Sequence, residues 1–231
     1  LKTETHYKNG ERDGLQTYWY ESGEKHSESH WKNGVRKQYH DNGKLKSEAH
    51  YKNGKQEGLA TTWYPSGKKH YEYHYKKGKV ERTTSWYKSG KKKYETYYKD
   101  HISIKEEFDT FFNEFHTTRW YRNGNKKYED HYRNYGPVGL STRWYESGEK
   151  EYEADYKNGK QEGLATTWYK SGAKKGQTHY KNGKRDGKDN YWYPSGEKLW
   201  ETHYKNGKKN GLHTWWLRSG KKRWEAYYID D

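Results

Sequence analysis

The chain has 231 residues, 28% of them apolar and 34% charged, with 47 Lys and Arg against 32 Asp and Glu for a formal net charge of +15. Aliphatic residues are scarce while Tyr (27) and Trp (12) abound, which excludes a thick aliphatic core and favours a thin sheet held by aromatic cross-strand pairs. There is no Cys, which excludes disulfides and thiol chemistry, and no apolar run approaches the length of a membrane-spanning helix.

No Met is present, even at position 1, so the chain is expected to start downstream of a start codon, as a mature product or a fragment. No targeting segment is there to be read, and the compartment, cytoplasmic or exported, stays open.

Leu1–Asp13 reads as the back half of a repeat, and Gly14–Lys37 as a full copy. The next copy, Gln38–Glu57, has 20 residues and puts Tyr39-His40 where Trp-Tyr stands elsewhere. Gly58–Glu81 is regular, and the copy from Arg82 is one residue short before Trp86. After Tyr98 the pattern lapses, to resume at Thr117. From there the glycines of Trp-Tyr-Xaa-Ser/Asn-Gly fall at Gly124, Gly148, Gly172, Gly196 and, after Trp216-Leu217, Gly220, at intervals of 24. Such a period marks a repeat architecture stacked along one direction.

The interval from Gly90 to Gly124 is 34, because KDHISIKEEFDTFFNEFH intervenes. All four Phe lie there, Phe108, Phe111, Phe112 and Phe115, spaced as one helical face. Ser103 with Glu106 matches a capping box, and the spacing predicts a short helix from Ile104 to Phe115. The chain thus divides into repeats over 1–98, an insert over 99–116 and repeats over 117–231, in one continuous repeat domain. Beyond the insert, Tyr135-Gly136-Pro137-Val138 replaces the usual connection and predicts a distorted joint. The C-terminal acids Asp230 and Asp231 suit a polar stop at a sheet edge.

Within a unit such as Gly139–Glu162, two Gly-centred turns separate two extended runs too short for helices. Each unit is therefore a β-hairpin and the chain an all-β meander of about nine, spanning roughly 80 to 90 Å at two strand spacings per unit. A three-residue loop at Glu146-Ser147-Gly148, with Gly148 left-handed, would gather Trp144, Thr142 and Leu140 with Tyr152, Ala154 and Tyr156. A two-residue loop would instead put Trp144 with Glu151, Glu153 and Asp155. The first register collects the less polar residues and is preferred. The same reasoning applies at Lys157-Asn158-Gly159, where Asn and Gly suit a tight turn. The glycine that opens each unit, as at Gly163, predicts a bulge or a close backbone approach.

Glu-Xaa-His recurs near the end of the second strands, at Glu4/His6, Glu28/His30, Glu48/His50, Glu72/His74, Glu129/His131 and Glu201/His203. Equivalent histidines two strands apart are separated by roughly 9 to 10 Å, too far to converge on one metal ion, so no metal or other cofactor is expected and the column reads as a ladder of cross-strand polar pairs. Below about pH 6 the 13 His should add strongly to the positive charge. Acids that come once per repeat, with no distinctive nucleophile and no phosphate loop, argue against an enzyme. Lysines at every turn suit solubility, although Lys with Tyr and Trp on a sheet could also grip nucleic acid or an anionic membrane. The series Trp19, Trp63, Trp86, Trp120, Trp144, Trp168, Trp192 and Trp216 reads as a packing spine on the apolar face.

The motifs Tyr156-Lys-Asn-Gly-Lys-Xaa-Xaa-Gly163 and Trp144-Tyr-Xaa-Ser-Gly148 resemble the MORN (membrane occupation and recognition nexus) repeats, most closely the variant class of the bacterial YwqK-family antitoxins. The resemblance covers nearly all of the chain outside 99–116. It implies an elongated single sheet of stacked antiparallel hairpins and a non-enzymatic protein-binding scaffold, most concretely an antitoxin or immunity protein that occludes a toxin. A membrane-lipid or single-stranded nucleic-acid surface, or a structural cell-surface repeat, is the alternative. The insert is the one feature that the repeat does not require. Its Phe108, Phe111, Phe112 and Phe115 face and its acids Glu106, Glu107, Asp109 and Glu114 are the expected partner-binding residues.

Overall fold

The structure, a computed structural model, describes residues 2–8, 11–30, 34–102, 114–134 and 136–229. It forms two compact units, Leu1–Phe115 and His116–Asp231. The first carries β1 (Lys2–Lys8), β2 (Glu11–Trp19), β3 (Lys25–His30), β4 (Gly34–Tyr39), β5 (Leu45–Lys52), β6 (Lys55–Trp63), β7 (Lys69–Lys76), β8 (Lys79–Trp86) and β9 (Lys92–Ile102). β10 (Glu114–Trp120) begins at the end of that unit. The second continues with β11 (Lys126–Arg133), β12 (Gly136–Pro137), β13 (Gly139–Trp144), β14 (Lys150–Lys157), β15 (Lys160–Trp168), β16 (Lys174–Lys181), β17 (Lys184–Trp192), β18 (Lys198–Lys205), β19 (Lys208–Trp216) and β20 (Lys222–Tyr228). β1 to β9 pair antiparallel with their sequence neighbours, and so do β13 to β20. The expected all-β hairpin array is what the chain forms.

The first turn of each unit is the expected three-residue loop. Tyr145 N–H donates to the Glu149 carbonyl at 2.9 Å and Gly148 N–H to the Tyr145 carbonyl at 3.0 Å, with Gly148 at φ 109°. The faces, however, are the reverse of those expected. Trp144 pairs with Lys150, but Arg143 pairs with Tyr152, so one extra residue, Glu151, is accommodated on β14. That bulge shifts the register by one and flips every side chain beyond it. Trp144, Thr142 and Leu140 therefore share a face with Glu153 and Asp155, while Arg143 and Ser141 share the other with Tyr152, Ala154 and Tyr156. The same shift recurs beside Trp63, Trp168, Trp192 and Trp216.

The second turn differs from the three-residue reading of Lys157-Asn158-Gly159: Lys157 pairs with Lys160, leaving the two-residue loop Asn158-Gly159 with φ of 51° and 77°, a type I′ turn that matches the twist of the flanking strands. Beyond it the register slips again between Glu153 and Asp155, opposite Gly163 at φ 77°, which is the bulge expected of the unit's opening glycine. The joint at Gly136-Pro137 is distorted as expected. Its strand shrinks to the two residues of β12, and a Cβ on Gly136 would stand 3.0 Å from Gly159 Cα.

Few large side chains are buried. Ala60, Val80, Ala154 and Ala165 are the buried apolar residues among those described, beside many threonines such as Thr84, Thr142, Thr166, Thr202 and Thr214. Successive repeats are instead stapled at both ends. At one end the tyrosine after each Trp donates its hydroxyl to the backbone carbonyl of the next repeat's Trp, as in Tyr64 to Trp86 (2.9 Å), Tyr121 to Trp144 (2.9 Å), Tyr145 to Trp168 (2.7 Å), Tyr169 to Trp192 (2.8 Å) and Tyr193 to Trp216 (3.0 Å). His40, which stands in the tyrosine's place, makes the same bond to Trp63 at 2.9 Å. At the other end Gly183 N–H donates to the Gln161 carbonyl and Gly207 N–H to that of Arg185, at 2.9 and 2.8 Å. Glu162 and Asp186 accept from the amides of Asn182 and Asn206 at 2.7 and 3.0 Å.

The helix expected to end at Phe115 does not reach that end. Glu114 and Phe115 are the first residues of β10, where the β-favouring Phe-His-Thr-Thr run outweighs the helical spacing. Residues 103–113, with the start of that helix, lie outside the described residues.

Because each staple joins two adjacent hairpins, removing one hydroxyl should be felt as a lost hydrogen bond. Tyr145→Phe and Tyr169→Phe should each lower stability by about 1 kcal/mol, read from urea midpoints. Tyr227→Phe, whose side chain is exposed on the last strand, should leave the midpoint unchanged.

Candidate functional site

The two faces of the second unit differ in kind. One repeats a ladder of Trp, Lys and Glu. Lys126 lies 5.4 Å from the Trp144 ring centre, Lys150 5.7 Å from that of Trp168 and Lys198 5.4 Å from that of Trp216. Each lysine also pairs with the glutamate three residues on, as in Lys126–Glu129 (2.8 Å) and Lys150–Glu153 (2.5 Å). The tryptophans thus sit half-buried beneath charged groups, and the expectation that they form a spine on an apolar face is corrected by the bulge. The Glu-Xaa-His column is polar, but its histidines meet the glutamate of their own strand, His50–Glu48 at 3.3 Å and His74–Glu72 at 3.2 Å in the first unit, while the expected cross-strand contact of Glu48 is made by Lys37 at 3.6 Å. Among the described residues no group of three or more His, Asp or Glu is placed to hold a metal. Burial would raise the Glu129 carboxyl, but the Lys126 ammonium and His116 outweigh it and hold the group below the ordinary value.

The other face carries aromatic rings under guanidinium groups. Arg119 lies over Tyr128 at 5.4 Å, Arg143 over Tyr152 at 5.5 Å and Arg185 over Tyr204 at 5.2 Å. Gln161 Nε2 donates to the Tyr152 hydroxyl at 2.5 Å, and the Tyr152 and Tyr156 hydroxyls meet at 3.2 Å. Tyr191 stacks on Trp200 at 4.3 Å, and its ring lies so close to Gly176 that a Cβ there would meet it at 2.8 Å. Towards β20, Trp215 and Trp224 are paired across strands and are 40% and 45% exposed.

The floor of this face breaks the repeat. At one position along successive return strands stand Asp130, Ala154, Thr178, Thr202 and Ala226; opposite them stand Ser141, Ala165, Asp189 and His213. Ala154 and Ala165 show that the hairpin itself needs only a small side chain there. Asp130 and Asp189 are nevertheless buried, Asp189 completely. Ser141 Oγ donates to Asp130 Oδ1 at 2.5 Å and Thr178 Oγ1 to Asp189 Oδ1 at 2.6 Å, while Thr202 and His213 form a third such contact. Asp189 Oδ2 lies 3.2 Å from Arg185 Nη1 without an aligned hydrogen bond. Burial raises the Asp189 carboxyl above its ordinary value, against the opposing pull of Thr178 and Arg185.

Over Asp130 the face opens into a pocket of about 350 Å³, walled by Tyr121, Tyr128 and Tyr132 and rimmed by Lys127, Arg143 and Glu151. None of these residues was singled out from the sequence. Writing the 24-residue units beneath one another would have shown Asp130 as the departure in a column of Ala and Thr, and Asp189 and His213 as departures in a column that holds Ser141 and Ala165. Of the expected partner-binding residues, Glu114 pairs with Lys99 at 2.9 Å and the Phe115 ring lies 6.3 Å from that of Tyr98, both within the first unit. Glu106, Glu107, Phe108, Asp109, Phe111 and Phe112 lie outside the described residues.

The raised Asp189 carboxyl fixes the sign of a pH effect. Its folded form holds a proton more tightly than the unfolded chain does, so its contribution to stability is fullest below the ordinary Asp value and is lost as pH rises through the folded one. Asp189→Asn should therefore gain on the wild-type chain between about pH 4 and about pH 7, measured as the difference in urea midpoints. A difference equal at both pH values would contradict the assignment.

Seven segments, residues 12–33, 32–53, 56–77, 82–100, 116–134, 137–158 and 161–182, match the family described as MORN repeat variant. The same hairpins continue through β17 to β20 beyond the last matched segment. No curated protein matches the chain. Among solved structures the chain is similar to one in the crystal structure of TcdB2-TccC3-Cdc42, at 12% identity and a TM-score of 0.23, over 93% of this chain and 13% of that one.

Proposed function

This chain belongs to the MORN repeat variant family, and on that premise we propose that it is a non-enzymatic protein-binding scaffold acting as an antitoxin or immunity protein that occludes a toxin. The observation that carries the reading is the aromatic and arginine face of the second unit. Tyr, Trp and Arg supply most of the energy at protein interfaces, because they bury large area at modest entropic cost. Trp215 and Trp224 stay substantially exposed, with Arg223 5.5 Å from the Trp215 ring centre. The staples between hairpins support the same reading, since a preorganised face loses little freedom on binding. The +15 charge would steer it toward an acidic partner.

One observation favours a polyanion instead. Lysines face each other across the Asn-Gly turns, Lys157 with Lys160 and Lys181 with Lys184, and like charges so placed oppose folding unless something anionic lies between them.

An affinity capture from lysate of the source cell separates the two. The wild-type chain should retain one stoichiometric protein at moderate salt. Trp215→Ala with Trp224→Ala should lose it by at least about 30-fold in affinity, while Lys150→Ala on the opposite face should not. Recovery of only nucleic acid or lipid, released by salt and equal for all three chains, would overturn the proposal.

A further inference from the structure

The pocket over Asp130 is a concave place on the face where the repeat has been altered. A buried carboxylate is expensive where Ala154, one repeat on, closes the same position without one. Ser141 engages one of its oxygens and so fixes the plane of the carboxylate at the pocket floor. The volume, about 350 Å³, is that of a small-molecule site rather than of a packing defect.

The lining decides the class of ligand. Two acids, Asp130 and Glu151, are balanced by two bases, Lys127 and Arg143, in a chain whose overall charge is strongly positive. A cation would meet Lys127 and Arg143, and an anion would meet Asp130 and Glu151, so neither sign of charge is favoured. The pocket instead offers fixed acceptors beside fixed donors, between tyrosine rings. The Tyr121 hydroxyl is already committed to the Trp144 carbonyl and Lys127 lies over its ring at 5.4 Å, so this residue walls the pocket without supplying a free donor. Hydroxyl groups on adjacent carbons of a saturated ring both donate and accept, and the C–H faces of such a ring pack on aromatic rings.

We propose that this pocket binds a pyranose, free or at the end of a glycan, with Asp130 and Glu151 accepting from its hydroxyls, Arg143 and Lys127 donating to them, and Tyr128 and Tyr132 against its C–H face. The proposal needs no protein partner and stands or falls apart from the toxin-occluding role.

The test is a titration of the whole chain followed by the NMR signals of its tyrosine rings. The probes are methyl glucopyranoside, methyl galactopyranoside, methyl mannopyranoside and N-acetylglucosamine, with cellobiose and chitobiose for the glycan source and arginine amide and inorganic phosphate as charged competitors. At least one pyranose should bind with a Kd of about 10 mM or tighter. Asp130→Asn, which keeps the volume, and Arg143→Lys, which keeps the charge but loses the two-pronged donor, should each weaken that probe at least about tenfold. Asp189→Asn, outside the pocket, should not. A disaccharide bound more tightly than its monosaccharide identifies a glycan as the source, and equal affinity identifies the free sugar. If no pyranose binds, if arginine amide or phosphate binds more tightly, or if both pocket variants bind the sugar like wild type, the proposal is overturned. Should Asp130→Asn fail to fold, Arg143→Lys decides alone.

Discussion

Each first turn of this protein is followed by one residue too many, and the rest of the structure depends on where that residue goes. Between Trp144 and Tyr152 the loop would close symmetrically if Arg143 met Glu151; it meets Tyr152 instead. Side chains alternate along a strand, so a shift of one exchanges the two faces of the sheet from there on. The extra residue is also put to use at the edge. Lys175 lies over the ring of Tyr169 and His70 over that of Tyr64, the same tyrosines whose hydroxyls staple one repeat to the next. A single irregularity thus sorts the faces and covers the staple.

Once sorted, the faces follow different rules. On the Trp, Lys and Glu face Lys126, Lys150 and Lys198 are each held both by a ring of the next repeat and by their own glutamate, and Gln177, three residues after Lys174, interrupts the series. Such a face is well suited to keep a long sheet soluble and unpaired with its neighbours, which is what strongly charged, regularly spaced side chains do at exposed sheets. On the aromatic face the rings recur except at Gly176, while the floor changes from repeat to repeat. Repetition makes the departures informative: an aspartate that the hairpin does not need, buried where desolvation opposes it, calls for an explanation that the repeat cannot supply.

How much of this could be read from the sequence depends on whether a feature is local. The period, the strand pairs, the left-handed Gly148, the irregularity at Gly163 and the distorted joint at Gly136-Pro137 all follow from turn chemistry within a few residues, and all were legible. The assignment of faces was not, because it turns on a bulge just past the three-residue loop, and that bulge has no residue signature: Glu151, Lys175, Leu199 and Arg223 share no chemistry. That misplaced the tryptophans. The end of the expected helix failed for a related reason, since Glu114 and Phe115 fit a helical face by spacing but take their conformation from the strand they open. The floor was legible in principle, by comparing columns, yet a search for clusters of titratable residues along the chain passes over an aspartate that occurs once per column.

The thinness of the core explains why such departures are affordable in this architecture and where they can occur. Alanine and threonine fill most of the buried positions among the described residues, so few hairpins here lean on one large buried side chain. Stability is distributed over the hydroxyl staples and the stacked Asn-Gly turns, which repeat at each interface and act between nearest neighbours. A buried carboxylate therefore weakens one interface while the next, across Ala154 and Ala165, keeps its small residues unaltered. Asp130 and Asp189 stand on opposite sides of that regular hairpin, each with its own hydroxyl donor. A globular core would spread the cost of either through its packing; a stack confines it to one joint, so individual repeats can take up binding chemistry while the frame stays the same.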